Sequence, residues 1–227
     1  MKYQWILFDA DETLFSFNSF LGLKAMLQRY GIDFTQADYD AFQAVNKPLW
    51  VAYQNKEISA EGLQRTRFAQ LAEQTGQDPL VLNQELMAEM ALVSVPLENV
   101  REMLEALHGK VKMAIITNGF NALQQKRLQN TDTLHFFDTV IVSEKVGVAK
   151  PDPRIFEAAF AEMGEFDKRK VLMVGDTLSS DVQGGINVSI DTCWFNPAGV
   201  ANDTGIQPTY EIRSILDLIP ITSGQFS

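Results

Sequence analysis

Residues 3–14 read YQWILFDADETL, a short apolar run that stops at Asp9 and is followed at once by a second carboxylate, Asp11. An unbroken apolar run of this length fits a strand buried on both faces, since parallel strands covered on both sides lose the in/out alternation of half-buried ones. Four later stretches repeat the pattern: Lys112–Thr117 (KMAIIT), Thr139–Ser143 (TVIVS), Val171–Gly175 (VLMVG) and Asp191–Phe195 (DTCWF). Helix-length segments lie between them, at Leu97–Leu107, Asn121–Leu128, Pro153–Met163 and Asp181–Asn187. This alternation predicts an α/β fold, a doubly wound, Rossmann-like parallel sheet.

One region departs from it. From Phe17 to Val93 the apolar residues recur at helical spacing: Phe20, Leu23, Met26 and Leu27, then Leu63, Phe68 and Leu71, then Leu82, Leu86, Met87 and Met90. Gly31, Gly76 with Pro79, and Pro96 punctuate it. The expectation is a helical bundle of four helices inserted after the first strand, which divides the chain into a core of residues 1–16 and 95–227 and an insertion of residues 17–94.

Composition narrows the function. Lys and Arg total 19 against 29 Asp and Glu, a net charge of −10, which disfavours a broad nucleic-acid-binding face while leaving room for a pocket that holds one phosphate. The N-terminal apolar run ends too early for a signal peptide, and no uncharged run reaches the roughly 20 residues of a membrane span. The lone Cys193 cannot form an internal disulfide and fits a reducing compartment. The expectation is a cytoplasmic protein that engages neither membrane nor nucleic-acid polymer, as a monomer or weak homo-oligomer. His108, His135 and Cys193 are too scattered for structural zinc, so any metal should be a hard cation on carboxylates.

Ligands of open α/β sheets bind beyond the carboxyl ends of the strands. Those ends carry Asp9 and Asp11, then Thr117 and Asn118, then lead to Lys150, then Asp176 with Asp181. Carboxylates this close repel one another unless a cation or a shared proton intervenes. With Asp176 as a third, they suit Mg²⁺, which keeps positions for water and a substrate phosphate. Thr117 offers a neutral donor and Lys150 a point charge, the groups phosphoryl transfer needs. Asp9 can then act as nucleophile on a phosphate whose charge is neutralised.

DADETL, ITNG, VGVAKPDPRIF and VGDTLSSD, in that order, resemble the four motifs of the haloacid dehalogenase superfamily of phosphatases, and the helical insertion resembles that superfamily's cap. FDADETLF, QAVNKPLWVAYQN and ITNGFNALQQKRL further resemble the bacterial pyrimidine 5′-nucleotidases within it. The resemblance implies Asp9 as the nucleophile that becomes an aspartyl-phosphate and Asp11 as the acid that protonates the leaving oxygen and then activates water. It implies Thr117 and Lys150 on the phosphoryl oxygens, and Mg²⁺, with Mn²⁺ as a substitute, on Asp9, the backbone carbonyl of Asp11 and Asp176, with Asp181 behind. The implied substrates are pyrimidine nucleoside monophosphates, deoxy forms included. In the wider superfamily the residue after the second Asp is commonly Gly; here it is Glu12.

Blander roles stand beside these. Asp181 can simply cap the helix DVQGGIN, and Asn118 and Gly119 can form a plain turn rather than touch phosphate. In the cap, Asn46, Lys47 and Trp50 lie around Pro48, which should start or kink a helix; Trp50 can stack on a base or pack in the bundle. Phe15 can face the substrate or the hinge. His108 reads as a helix C-terminal residue and His135 as a packing or surface residue. A phosphatase or mutase for sugar or carboxylate phosphates shares all four motifs. A phospho-acceptor module would need its aspartate after a middle strand, where Thr117 and Ser143 stand, and a non-catalytic binder would have lost a motif residue.

Overall fold

A computed structural model describes residues 1–225, so the last two of the expected 95–227 core segment lie outside the described residues. Its strands are β1 (Trp5–Phe8), β2 (Lys112–Thr117), β3 (Thr139–Val142), β4 (Val171–Gly175), β5 (Asp191–Phe195) and β6 (Tyr210–Ile212). Among the described residues they form one six-stranded sheet in the order β3-β2-β1-β4-β5-β6, every pairing parallel. β1 pairs through Trp5–Phe8 with Lys112–Ile115 on one side and Val171–Val174 on the other. All residues of β1 and β4 are buried, as their unbroken apolar runs require. The chain winds outward through β2 and β3, then returns to place β4 beside β1. The reversal point of this doubly wound sheet therefore lies between the ends of β1 and β4.

The helices are α1 (Ser19–Gln28), α2 (Gln36–Gln54), α3 (Ala60–Arg67), α4 (Ala69–Thr75), α5 (Pro79–Val93), α6 (Val100–Leu107), α7 (Asn121–Asn130), α8 (Ser143–Val146), α9 (Pro153–Met163), α10 (Gln183–Asn187) and α11 (Leu218–Ser223). The chain separates into two compact units: Met1–Ser16, Val95–Asn118 and Thr131 onward form one, and Phe17–Ser94 with Gly119–Asn130 the other.

In the sheet unit, α9 starts where Asp152 caps the amide of Arg154 and Pro153 supplies a preset φ at the first helical position. Its buried Ile155, Phe156, Ala159 and Met163 fall on one face and join Leu7, Ile116 and Met173 in the core. Full burial of a side chain such as Phe156 contributes roughly 2–3 kcal/mol. His108 stands at the C-terminus of α6, and the His135 ring lies 4.0 Å from that of Phe136.

In the helical unit, Leu23, Met26 and Leu27 of α1 and Leu82, Leu86, Met87 and Met90 of α5 are buried, as their spacing predicts. Three features differ from expectation. Five helices precede Ser94 rather than four, because α3 and α4 break at the fully buried Phe68 (φ −103°, ψ 1°), where no Gly or Pro announces it. Helix α2 runs through Pro48, whose neighbourhood is exposed, so water can take up the carbonyl bond that proline forgoes. And α7, expected among the sheet's helices, packs on α5, with Asn130 Nδ2 donating to the Ala91 carbonyl at 3.1 Å. Its buried residues are Leu123, Gln124, Arg127 and Leu128, of which only the two leucines are apolar, too little to cover a sheet face. Among the described residues no helix is long and apolar enough to cross a membrane.

Candidate active site

The strand register carries the first carboxylate into place. The Asp9 amide donates to the Val174 carbonyl at 2.8 Å, extending the β1–β4 pairing one residue past β1. The next residues turn tightly: the amides of Leu14 and Phe15 donate to the Ala10 carbonyl, and that of Glu12 to the Phe15 carbonyl. Glu12 sits at φ +57°, the left-handed region that suits the glycine more usual there. A side chain at that φ costs about 1 kcal/mol.

Lys150 is the hub. Its side chain is 1% exposed, and its Nζ donates to Asp9 Oδ1 at 2.5 Å and lies 2.7 Å from Asp181 Oδ1. Asn118 holds the Lys150 backbone on both sides: Nδ2 donates to the Lys150 carbonyl at 3.0 Å, and the Lys150 amide donates to Oδ1 at 2.7 Å. Asp181 lies in a wide turn, Leu178–Val182, where it accepts from the Thr177 amide at 3.0 Å and the Ser180 hydroxyl at 3.1 Å. Gly175 makes room for it, since a Cβ there would stand 2.2 Å from Asp181 Oδ2. Asp176 is held through its carbonyl by the Trp194 indole N–H at 2.8 Å, and the Thr13 hydroxyl reaches its carboxylate at 3.5 Å.

Asp9, Asp176 and Asp181 each bring a carboxylate oxygen within 4.8 Å of the other two. Burial pushes the Asp9 carboxyl up to about 8; Lys150 opposes this, while Asp181 and Asp11 reinforce it. Burial likewise raises Asp176 to about 6, with Asp181 adding to the effect. For Lys150, burial acts to lower the pKa, but the Asp181 and Asp9 carboxylates outweigh it and hold the ammonium charged. Oxygen-only donors carrying more negative charge than one ammonium can offset fit a hard divalent cation. The Asp11 carboxylate is outside this group, so three of the four predicted metal residues meet through their side chains.

This charge balance sets a pH dependence. A carboxyl whose pKa is raised by folding stabilises the fold when protonated, and that stability is lost as pH rises through the folded pKa. For Asp9 and Asp176 the window runs from about 4 to about 8. The rise in Tm on adding millimolar Mg²⁺ is therefore expected to grow between pH 5 and pH 8, measured by thermal melts at each pH. A shift that is flat or shrinks with pH would contradict the assignment.

Thr117 ends β2, 1% exposed. One expectation needs revising: Phe15 is fully buried and bridges the backbone of Asp11 and Pro96, so it offers no surface to a substrate. Asn118 uses its oxygen and one amide hydrogen on the Lys150 backbone. In the helical unit Asn46 is buried and donates to Gln43 Oε1 at 3.0 Å, Lys47 is exposed, and the half-buried Trp50 ring lies 5.3 Å from that of Phe120. Thr13 belongs to the DADETL motif, although nothing in it announces the contact with Asp176, while Trp194 and the buried Arg67 and Asn83 carry no motif that the sequence could have shown.

A buried lysine among three carboxylates that could hold a divalent cation, at the reversal point of a doubly wound sheet, is the set of groups a hydrolase of phosphate esters uses. The haloacid dehalogenase-like hydrolase family model matches residues 3–188, and the chain belongs to that family. It is 47% identical to the pyrimidine 5′-nucleotidase YjjG of Escherichia coli (strain K12) over 218 residues, 96% of this chain and 97% of that one. It is 36% identical to the pyrimidine 5′-nucleotidase PynA of Streptococcus pneumoniae over 96% of this chain and 94% of that one. Among solved structures, the magnesium-bound putative hydrolase YfnB of Bacillus subtilis superposes with a TM-score of 0.84 at 29% identity, covering 98% of this chain and 100% of that one.

Proposed function

We propose that this protein is a Mg²⁺-dependent 5′-nucleotidase that hydrolyses pyrimidine nucleoside and deoxynucleoside monophosphates such as dUMP, UMP and dTMP. The chemistry rests on the buried Asp9–Lys150–Asp181 chain at the β1–β4 reversal point. The substrate class rests on the likeness, along 96% of the chain, to two pyrimidine nucleotidases.

Asp9 attacks phosphorus through a carboxylate oxygen. The bond to the nucleoside 5′ oxygen breaks, and Asp11 protonates that oxygen as it leaves. The aspartyl-phosphate on Asp9 is then opened by water, whose proton passes to Asp11, and inorganic phosphate departs with Asp9 restored. Lys150 and Thr117 receive the phosphoryl oxygens, Lys150 as a charge held in place by Asp181 and Asn118. Asp9 and Asp176, with the Asp11 carbonyl, would hold a divalent ion, which would supply positive charge to offset that on the transferring phosphoryl group. Mn²⁺ is the substitute ion. A reducing, cytoplasmic setting agrees with the buried thiol of Cys193, whose pKa burial raises.

Phosphate release with Mg²⁺ across nucleoside monophosphates and sugar phosphates tests the reading. Preference for pyrimidine deoxynucleotides supports it; preference for sugar phosphates keeps the chemistry and discards the substrate. Asp11→Asn is expected to slow turnover by roughly 10²–10⁴-fold. A loss below tenfold removes Asp11 from acid–base work.

A further inference from the structure

Trp194 lies on β5 opposite Gly175, the last residue of β4, and is 5% exposed. Its indole N–H, a group that can only donate, reaches the Asp176 carbonyl at 2.8 Å. The same ring packs with Leu178 and Val182, the first and last residues of the turn that carries Asp181, and the half-buried Ile206 closes the group. One side chain therefore touches Asp176 through its backbone and Asp181 through the residues on either side of it.

Both carboxylates need such a brace. The turn is wide: the Gln183 amide donates to the Leu178 carbonyl five residues back, a geometry rarer than the α-helical one and frequent at functional sites. It also has no slack toward the sheet, since even a Cβ on Gly175 would strike Asp181. Asp9 differs, because its amide on the Val174 carbonyl fixes it to the sheet directly. Packing alone asks only for a ring at position 194. What an indole adds over a phenyl ring is the N–H, and it is spent on a residue that brings a carboxylate to the cation-binding group.

We propose that Trp194 is a positioning residue for the divalent cation, holding Asp176 and the Asp181 turn at the spacing the ion requires. It sets the affinity for the ion rather than the rate of the chemical step. This rests on the metal-dependent reading of the site and adds a residue that belongs to none of the four motifs. Groups behind the ligands of a metal commonly change its affinity by about 10–100-fold.

The test measures Mg²⁺ affinity in the wild-type protein, Trp194→Phe and Trp5→Phe, from the rise of Tm with MgCl₂ concentration. Trp194→Phe keeps a ring and loses the N–H. It is expected to weaken Mg²⁺ binding by about 10-fold or more and to raise the Mg²⁺ concentration that half-saturates phosphate release in step. Its kcat at saturating Mg²⁺ should stay close to the wild-type value. Trp5→Phe makes the same change at a buried residue at the opposite end of the sheet, the start of β1. It should lower the Tm without Mg²⁺ and leave the affinity alone. An unchanged affinity in Trp194→Phe, an equal weakening in Trp5→Phe, or a kcat that stays low at saturating Mg²⁺ overturns the proposal. If Trp194→Phe does not fold, Val182→Ala decides: it keeps the N–H but loosens the turn, and an affinity equal to wild type overturns the bracing role. A wild-type Tm that ignores Mg²⁺ overturns the metal assignment and this role with it. The melts need no substrate, so a failure of the nucleotidase reading alone leaves their outcome standing.

Discussion

Asp9→Asn is expected to lower turnover by about 10⁴–10⁶-fold, the scale seen when a covalent nucleophile is removed. The amide is nearly isosteric but cannot form the acyl-phosphate, so no alternative route through the same atoms remains. The fold should survive. Lys150 keeps its contact with Asp181 at 2.7 Å, and the substitution removes one of the carboxylates whose mutual repulsion burial makes costly. The expected outcome is a Tm within a few degrees of wild type, no phosphate release, and no phosphorylated protein by mass spectrometry under turnover, where the wild type is expected to show one. A variant retaining most of the rate would sink the covalent mechanism.

The parts of this architecture that were legible share one property: local residue type and tertiary role coincide. β1, β2 and β4 are buried on both faces, so their apolar runs mark them directly. Asp9 and Asp176 directly follow β1 and β4, and Thr117 ends β2, so these candidate residues could be ordered along one sheet edge before any geometry was known, while Lys150, beyond β3 and α8, was reached through its motif. β6 was missed because it is a three-residue edge strand, Tyr210–Ile212, with an exposed Glu211 and little apolar signal. The break at Phe68 and the packing of α7 on α5 depend on neighbours far away in sequence. The same is true of Arg67: in the run QRTR it reads as a solvated helix charge, and only the approach of Asn46 and Asn83 from two other helices shows it to be buried. Asn118 was placed in the site, but which partner it served was decided by a backbone 32 residues onward.

Lys150→Met should damage stability and rate together, for reasons that can be separated. The methionine fills similar space but removes the ammonium that lies between Asp9 and Asp181, whose side chains are 11% and 1% exposed. Breaking a buried charge pair from one side costs about 3–5 kcal/mol, because the remaining charges stay desolvated. At about 2–4 °C per kcal/mol for a chain of this size, Tm should fall by roughly 6–20 °C. The loss should be greatest at high pH, where the carboxyls are ionised, and should shrink as pH falls and Asp9 takes up a proton. Millimolar Mg²⁺ should recover part of it, since a divalent ion among Asp9, Asp176 and Asp181 offsets the same repulsion. Even with Tm recovered, the rate should remain about 10²–10³-fold below wild type, because the charge aimed at the phosphoryl oxygens is gone. Melts with and without Mg²⁺ at two pH values, beside turnover under saturating Mg²⁺, separate the two effects. An unchanged Tm would mean that Lys150 does not compensate the buried carboxylates, and a rate restored along with Tm would confine it to a structural role.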